Sequence, residues 1–282
     1  MSRVYASTGD RDTSTTSSVS EATPIVFYHG VGGLVCYSPF IKGLEALGIP
    51  VMAVEMPYVS LHIAPHVPSI QDHVASFEEL LDTYGYTHAI VIGHSWGSNV
   101  VSWLTQMAPH RIRGAVFLDP VVFMLHLRDI TFNWFYETRY KNSTPDGKDP
   151  LVSAASVVSL VKTEVFSNHA LQRPYVWFRN ILFPQEMESK PFPTTVVVSE
   201  KDPIVPSQAI FNQITDHRSQ YQEQGKKSKV EILTLPDAGH GGFVFEEPFR
   251  LQVLQIIHDL YRRVESERIE VGGYGSDLTR VE

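Results

Sequence analysis

Cysteine is nearly absent: Cys36 is the only one in 282 residues. That excludes an internal disulfide and a Cys-rich zinc site, and it is compatible with a reducing compartment. Long hydrophobic runs are also missing, and no stretch reaches the roughly 18 apolar residues that a membrane-spanning helix needs. Positive charge is in deficit, with 23 Lys and Arg against 31 Asp and Glu and a formal net charge of −8. A nucleic-acid partner would meet net repulsion, and the longest basic cluster, Lys226-Lys227 with Lys229, reads as a solvated surface. Residues 1–23 are poor in apolar side chains and carry Asp10, Asp12 and Glu21, unlike a secretory h-region or an acid-poor transit peptide. They are expected to form a disordered tail on a cytoplasmic protein. Glycine and proline, 18 of each, fall within ordinary usage and exclude a collagen-like chain.

What is present is an alternation of short apolar runs with helical periodicity, the pattern of an α/β protein whose mostly parallel sheet carries helices on both faces. Strands are predicted at 24–28, 50–54, 88–92, 114–118, 194–198 and 229–234, each apolar on both faces as buried parallel strands are. Ile70, Val74, Phe77, Leu80 and Leu81 share one helical face. Phe249, Val253, Ile256, Ile257, Leu260, Tyr261 and Val264 share another. The alternation breaks over 121–190, which holds 11 of the 31 aromatics with helical periodicity and no convincing strand. The expected organisation is a core of 24–120 and 191–266, a helical cap inserted at 121–190, and a flexible tail at 267–282. Most cap aromatics are expected to be core, with some lining a pocket.

Chemistry concentrates at the ends of four strands. Gly93-His94-Ser95-Trp96-Gly97 follows the 88–92 run and precedes a helix with Val100, Val101 and Leu104 on its apolar face. A sharp strand-to-helix turn strains the central residue and leaves no room for side chains two positions away, so this is a nucleophile elbow with Ser95 at its apex. His29-Gly30-Val31-Gly32-Gly33 ends the first run, where glycines let the backbone approach a substrate. A dinucleotide-binding loop with Glu55 as its ribose acid competes for this segment, but it requires glycine at position 35, which is Val. The last two runs are followed by Asp202, in Glu-Lys-Asp-Pro-Ile-Val, and by His240, in Ala-Gly-His-Gly-Gly. Asp119, at the end of 114–118, is the alternative acid. No residue spacing suggests a metal site or a cofactor.

These four ordered motifs resemble the α/β-hydrolase superfamily, specifically its cap-bearing serine hydrolases of esterase or lipase type, over about residues 24–264. The resemblance implies Ser95 as nucleophile, His240 as general base, Asp202 as its orienting acid, and the N–H groups of Val31 and Trp96 as the oxyanion hole. Substrate-pocket candidates are His29, Gly30, Trp134, Phe135, Tyr136 and Phe243. The implied activity is hydrolysis of an ester, or a thioester or amide, of an apolar small molecule through an acyl-enzyme. An acyltransferase on the same triad, or a ligand-binding receptor of this fold, are the alternatives. One departure stands out: the superfamily usually begins with two strands before the His-Gly strand, and here only the Ser/Thr-rich tail precedes it. Either the sheet has six strands or the chain has lost its start.

Overall fold

In a computed structural model, residues 3–7, 22–64, 66–135 and 161–273 are described, with side chains for 22–64, 66–135 and 161–267. Seven strands form one sheet in the order β1-β3-β2-β4-β5-β6-β7. They are β1 (Arg3–Ser7), β2 (Ile25–Tyr28), β3 (Val51–Glu55), β4 (Ala89–His94), β5 (Ile112–Leu118), β6 (Thr194–Ser199) and β7 (Val230–Leu235). The six predicted runs are strands β2 to β7, all parallel to one another. The prediction missed β1, which pairs antiparallel with β3 from Arg3 opposite Glu55 to Ser7 opposite Val51. Five of the residues assigned to a disordered tail are therefore an edge strand. A short edge strand leaves little mark in sequence, because its hydrogen bonds come from the neighbour it joins and not from its own pattern.

The inner strands bury both faces. Along β2, Ile25 and Phe27 join one core while Val26 and Tyr28 join the other, and β4 splits the same way between Ile90 and Ile92 on one side and Val91 on the other. Helices α2 (Ile70–Tyr84) and α3 (Gly97–Met107) cover the first face through Val74, Phe77, Leu80, Leu81, Val100, Val101 and Leu104. Helix α1 (Ser38–Ala46) and the carboxyl-terminal helix (Glu247–Gly273) cover the second through Phe40, Leu44, Val253, Ile257, Leu260 and Val264. Each fully buried side chain of this kind contributes about 1.5–3 kcal/mol, so the two apolar stripes read from the sequence hold the layers together. Ser69 starts α2 with a reciprocal capping box to Asp72, and Gly85 ends it in the left-handed conformation.

Between β5 and β6 the described residues are helical or irregular and contain no strand. They include Arg128–Phe135, Val165–Gln172 and Pro184–Glu188. Trp103 Nε1 donates to Asn180 Oδ1 at 2.6 Å and Tyr175 donates to Asn99, so residues 175–180 are fastened onto α3. Among the described residues no helix is long and apolar enough to cross a membrane.

Candidate active site

Parallel strands point their carboxyl ends the same way, so the loops after β2, β4, β5, β6 and β7 converge above one edge of the sheet. Ser95 follows β4 at φ 49°, a left-handed conformation that costs a non-glycine residue about 1–3 kcal/mol and marks a turn the fold enforces. The flanking glycines are required sterically. A Cβ on Gly93 would lie 2.5 Å from the Gly97 carbonyl oxygen, and one on Gly97 would lie 2.1 Å from the Tyr28 oxygen.

His240 Nε2 lies 2.9 Å from Ser95 Oγ, and His240 Nδ1 lies 2.6 Å from Asp202 Oδ2. The other Asp202 oxygen accepts the backbone N–H groups of Ile204 and Val205 at 2.7 and 2.8 Å, which fixes the carboxylate toward the ring. Burial alone would pull the His240 pKa down. The carboxylates of Asp202 and Asp119 outweigh it, and the net shift is upward.

Asp119 does something else. At φ 40° it accepts from Ser199 N at 2.7 Å, Ser199 Oγ at 3.0 Å and Gly241 N at 2.8 Å, tying the ends of β5 and β6 to the residue after His240. Burial, then the nearby Asp202 charge, push its carboxyl pKa upward. Of the two carboxylates, only Asp202 hydrogen-bonds the imidazole.

The glycine loop after β2 is held at alternate amides. Gly30 N–H donates to Tyr37 Oη at 2.9 Å, Gly32 N–H to the Val59 carbonyl at 2.7 Å, and Leu34 N–H to Glu55 Oε2 at 3.1 Å. Glu55, the acid of the dinucleotide alternative, thus serves as an anchor for this loop. Among the described residues, the N–H groups of Val31 and Trp96 have no acceptor. Both residues line the space around Ser95.

The α/β hydrolase fold family matches residues 23–154. Solved structures resemble the chain over most of its length. A carboxylesterase of the thaumarchaeon Nitrososphaera gargenis is 15% identical with a TM-score of 0.63, covering 94% of this chain and 96% of that one. A Bacillus subtilis carboxylesterase is 17% identical with a TM-score of 0.60, covering 91% and 86%. A thermophilic esterase of Thermogutta terrifontis is 14% identical with a TM-score of 0.61, covering 94% of each. The chain has the α/β-hydrolase fold. No curated protein matches it in sequence.

Within this fold, Ser95 opens on a cavity of about 50 Å³ walled by Val31, Tyr37, Trp134, Val161, Ile204 and Phe245. A second cavity of about 20 Å³ continues beneath Trp96, Ile130, Leu171 and Trp177. The walls are mainly apolar. A larger hollow of about 570 Å³, near Met56, His73 and Tyr84, shares no lining residue with them.

Of the predicted pocket residues, Trp134 lines the cavity beside Ser95, and Tyr136 lies outside the described residues. The other four do not line it. His29 is fully buried, accepting the Met56 N–H at Nε2 and facing the Gly30 carbonyl from Nδ1 at 2.6 Å, so it braces the loop from behind. Gly30 faces Tyr37 and His94, Phe135 packs on Trp177, and Phe243 is core between Phe40 and His94. Tyr37, Val161, Ile204 and Phe245 were missed because no motif marks a wall residue. Cys36 is half-buried and borders the cavity.

Among the described residues, the one grouping whose metal-ligating atoms lie close together is His94, Asp119 and His240, within 4.8 Å of one another. Asp119 and His240 are already committed to the hydrogen bonds above, so the donor set does not argue for an ion.

Proposed function

We propose that the chain is a serine hydrolase that cleaves an ester, or a related acyl bond, of an apolar small molecule through an acyl-enzyme on Ser95. The observation that carries this reading is the imidazole of His240, hydrogen-bonded at one nitrogen to Ser95 and at the other to Asp202. As Ser95 Oγ attacks the acyl carbon, its proton passes to His240 Nε2, and Asp202 holds the proton on Nδ1 and balances the charge the ring acquires. The carbonyl oxygen becomes an oxyanion held by the N–H groups of Val31 and Trp96. The protonated His240 then delivers its proton to the departing alcohol. Water, deprotonated by the same ring, cleaves the acyl-enzyme. The mainly apolar walls, with Trp134 and Trp177 contributed by the β5–β6 segment, favour an apolar acyl or aromatic group. That segment acts as a cap over the site.

The experiment is hydrolysis of a short p-nitrophenyl ester by wild type and by Ser95→Ala. The variant removes one hydroxyl and should fold normally while losing several orders of magnitude in kcat. Fluorophosphonate labelling of the wild type, with the adduct located by mass spectrometry, should fall on Ser95. Turnover of the variant within tenfold of wild type, free of contaminating esterase, would overturn the reading.

A further inference from the structure

Three of the groups assigned to the reaction, Val31, Ser95 and His240, each sit one residue away from a member of a buried polar cluster. Gly30, His94 and Gly241 are those neighbours. Gly30 N–H donates to Tyr37 Oη at 2.9 Å, and the same oxygen lies 2.6 Å from His94 Nδ1. His94 Nε2 lies 3.9 Å from Asp119 Oδ2, beyond hydrogen-bond distance, and that oxygen accepts the Gly241 N–H at 2.8 Å. We propose that Tyr37 is a positioning residue for the oxyanion hole, its hydroxyl locking the Val31 loop to the Ser95 turn. This rests on the hydrolase reading above.

The local chemistry is built around that hydroxyl. Tyr37 is 3% exposed, and its ring packs against Phe27, His94 and Phe243 with centroids 5.2, 5.6 and 6.5 Å away. A phenol offers one donor and two acceptor sites. Accepting from Gly30 leaves its own proton for His94 Nδ1, so the imidazole proton lies on Nε2, on the Asp119 side. Burial, with the nearby His240 and His29, holds the His94 pKa well below the ordinary histidine value, so the ring stays neutral and able to accept. Burial likewise pushes the Tyr37 phenol upward and keeps its proton in place. Glycine at 30 permits the junction. A Cβ there would lie 2.8 Å from Tyr37 Oη, 3.0 Å from His94 Nδ1 and 3.0 Å from Ser95 Cβ. The loop and the turn therefore meet at one oxygen, and the donor at Val31 is one peptide from it.

Donors to an oxyanion act by being fixed before charge develops, and a displacement of about 1 Å costs about a hundredfold. Tyr37→Phe deletes the junction and keeps the ring packing. The expected result is a 10- to 100-fold loss in kcat with KM changed less than threefold. The rate of Ser95 modification by a fluorophosphonate should fall by a similar factor, because its phosphoryl oxygen occupies the same donors. If Tyr37 only fills the core, Tyr37→Phe lowers the melting temperature and leaves kcat and labelling rate within twofold of wild type, which overturns the proposal. A variant that does not fold is replaced by Tyr37→Trp and Tyr37→His, of which only the histidine has a ring nitrogen able to accept the Gly30 N–H; equal labelling rates in the two would also overturn it. If wild type neither hydrolyses the p-nitrophenyl ester nor takes the label, the hydrolase reading fails and this one with it.

Discussion

Asp119 and Asp202 follow adjacent parallel strands, and from sequence alone either carboxylate serves as the partner of His240. The difference lies in what each oxygen already holds. Asp202 spends one oxygen on Ile204 and Val205 and gives the other to His240, whereas Asp119 spends both on Ser199 and Gly241. Asp202→Asn should therefore favour the wrong imidazole tautomer and cost about 10²–10⁴ in kcat with little change in KM. Asp119→Asn sets an amide NH₂ against a backbone N–H, at about 1–3 kcal/mol of stability, and lowers the melting temperature. It also removes one of the two charges that hold the His240 pKa above its ordinary value. In the proposed mechanism the base works as neutral imidazole, so kcat/KM should rise with pH through that pKa, and losing the Asp119 charge should move the acidic limb to lower pH. A full pH–rate profile of both variants checks this. A folded but inactive Asp119→Asn beside a near-wild-type Asp202→Asn would reverse the assignment of the acid.

At the scale of elements, the legible features were those that a turn or a periodicity dictates. Gly93 and Gly97 flank Ser95 because any Cβ would strike backbone, and that constraint is visible in the sequence without coordinates. The helical faces of α2 and the carboxyl-terminal helix follow from spacing alone. The cavity wall was not legible, since neighbouring aromatics in a helical segment face different ways. Trp134 turns to Ser95 and Phe135 turns to Trp177, although they are adjacent. Trp134→Ala should consequently shift the preference among p-nitrophenyl esters toward longer acyl chains, read as the ratio of kcat/KM values across a chain-length series. Phe135→Ala should lower the melting temperature and scale all substrates alike. Identical chain-length profiles for wild type and Trp134→Ala would remove the indole from the acyl site.

Over the whole molecule, the distribution of chemistry along the sheet separates stability from catalysis. Ser95, Asp202 and His240 follow β4, β6 and β7, while β1 lies at the far edge, with β3 and β2 between it and β4. Strand β1 contributes an outer ladder and, on the proposed reading, no residue of the site. Deleting residues 1–8 should expose the edge of β3, whose Val51-Met52-Ala53-Val54 run would then present unpaired backbone groups to other chains. The expected outcome is a melting temperature lower by several degrees, each 1 kcal/mol lost being worth about 2–4 °C in a chain approaching this size, with faster aggregation on mild heating. Titrating active sites with fluorophosphonate corrects for misfolded protein, and kcat/KM per titrated site should stay within twofold of the full chain. An unchanged melting temperature would mean that the β1–β3 ladder contributes nothing in solution. A tenfold loss per titrated site would instead show that the edge strand reaches the oxyanion loop through β3 and β2, since Val31 follows β2 and Glu55, which holds Leu34, ends β3.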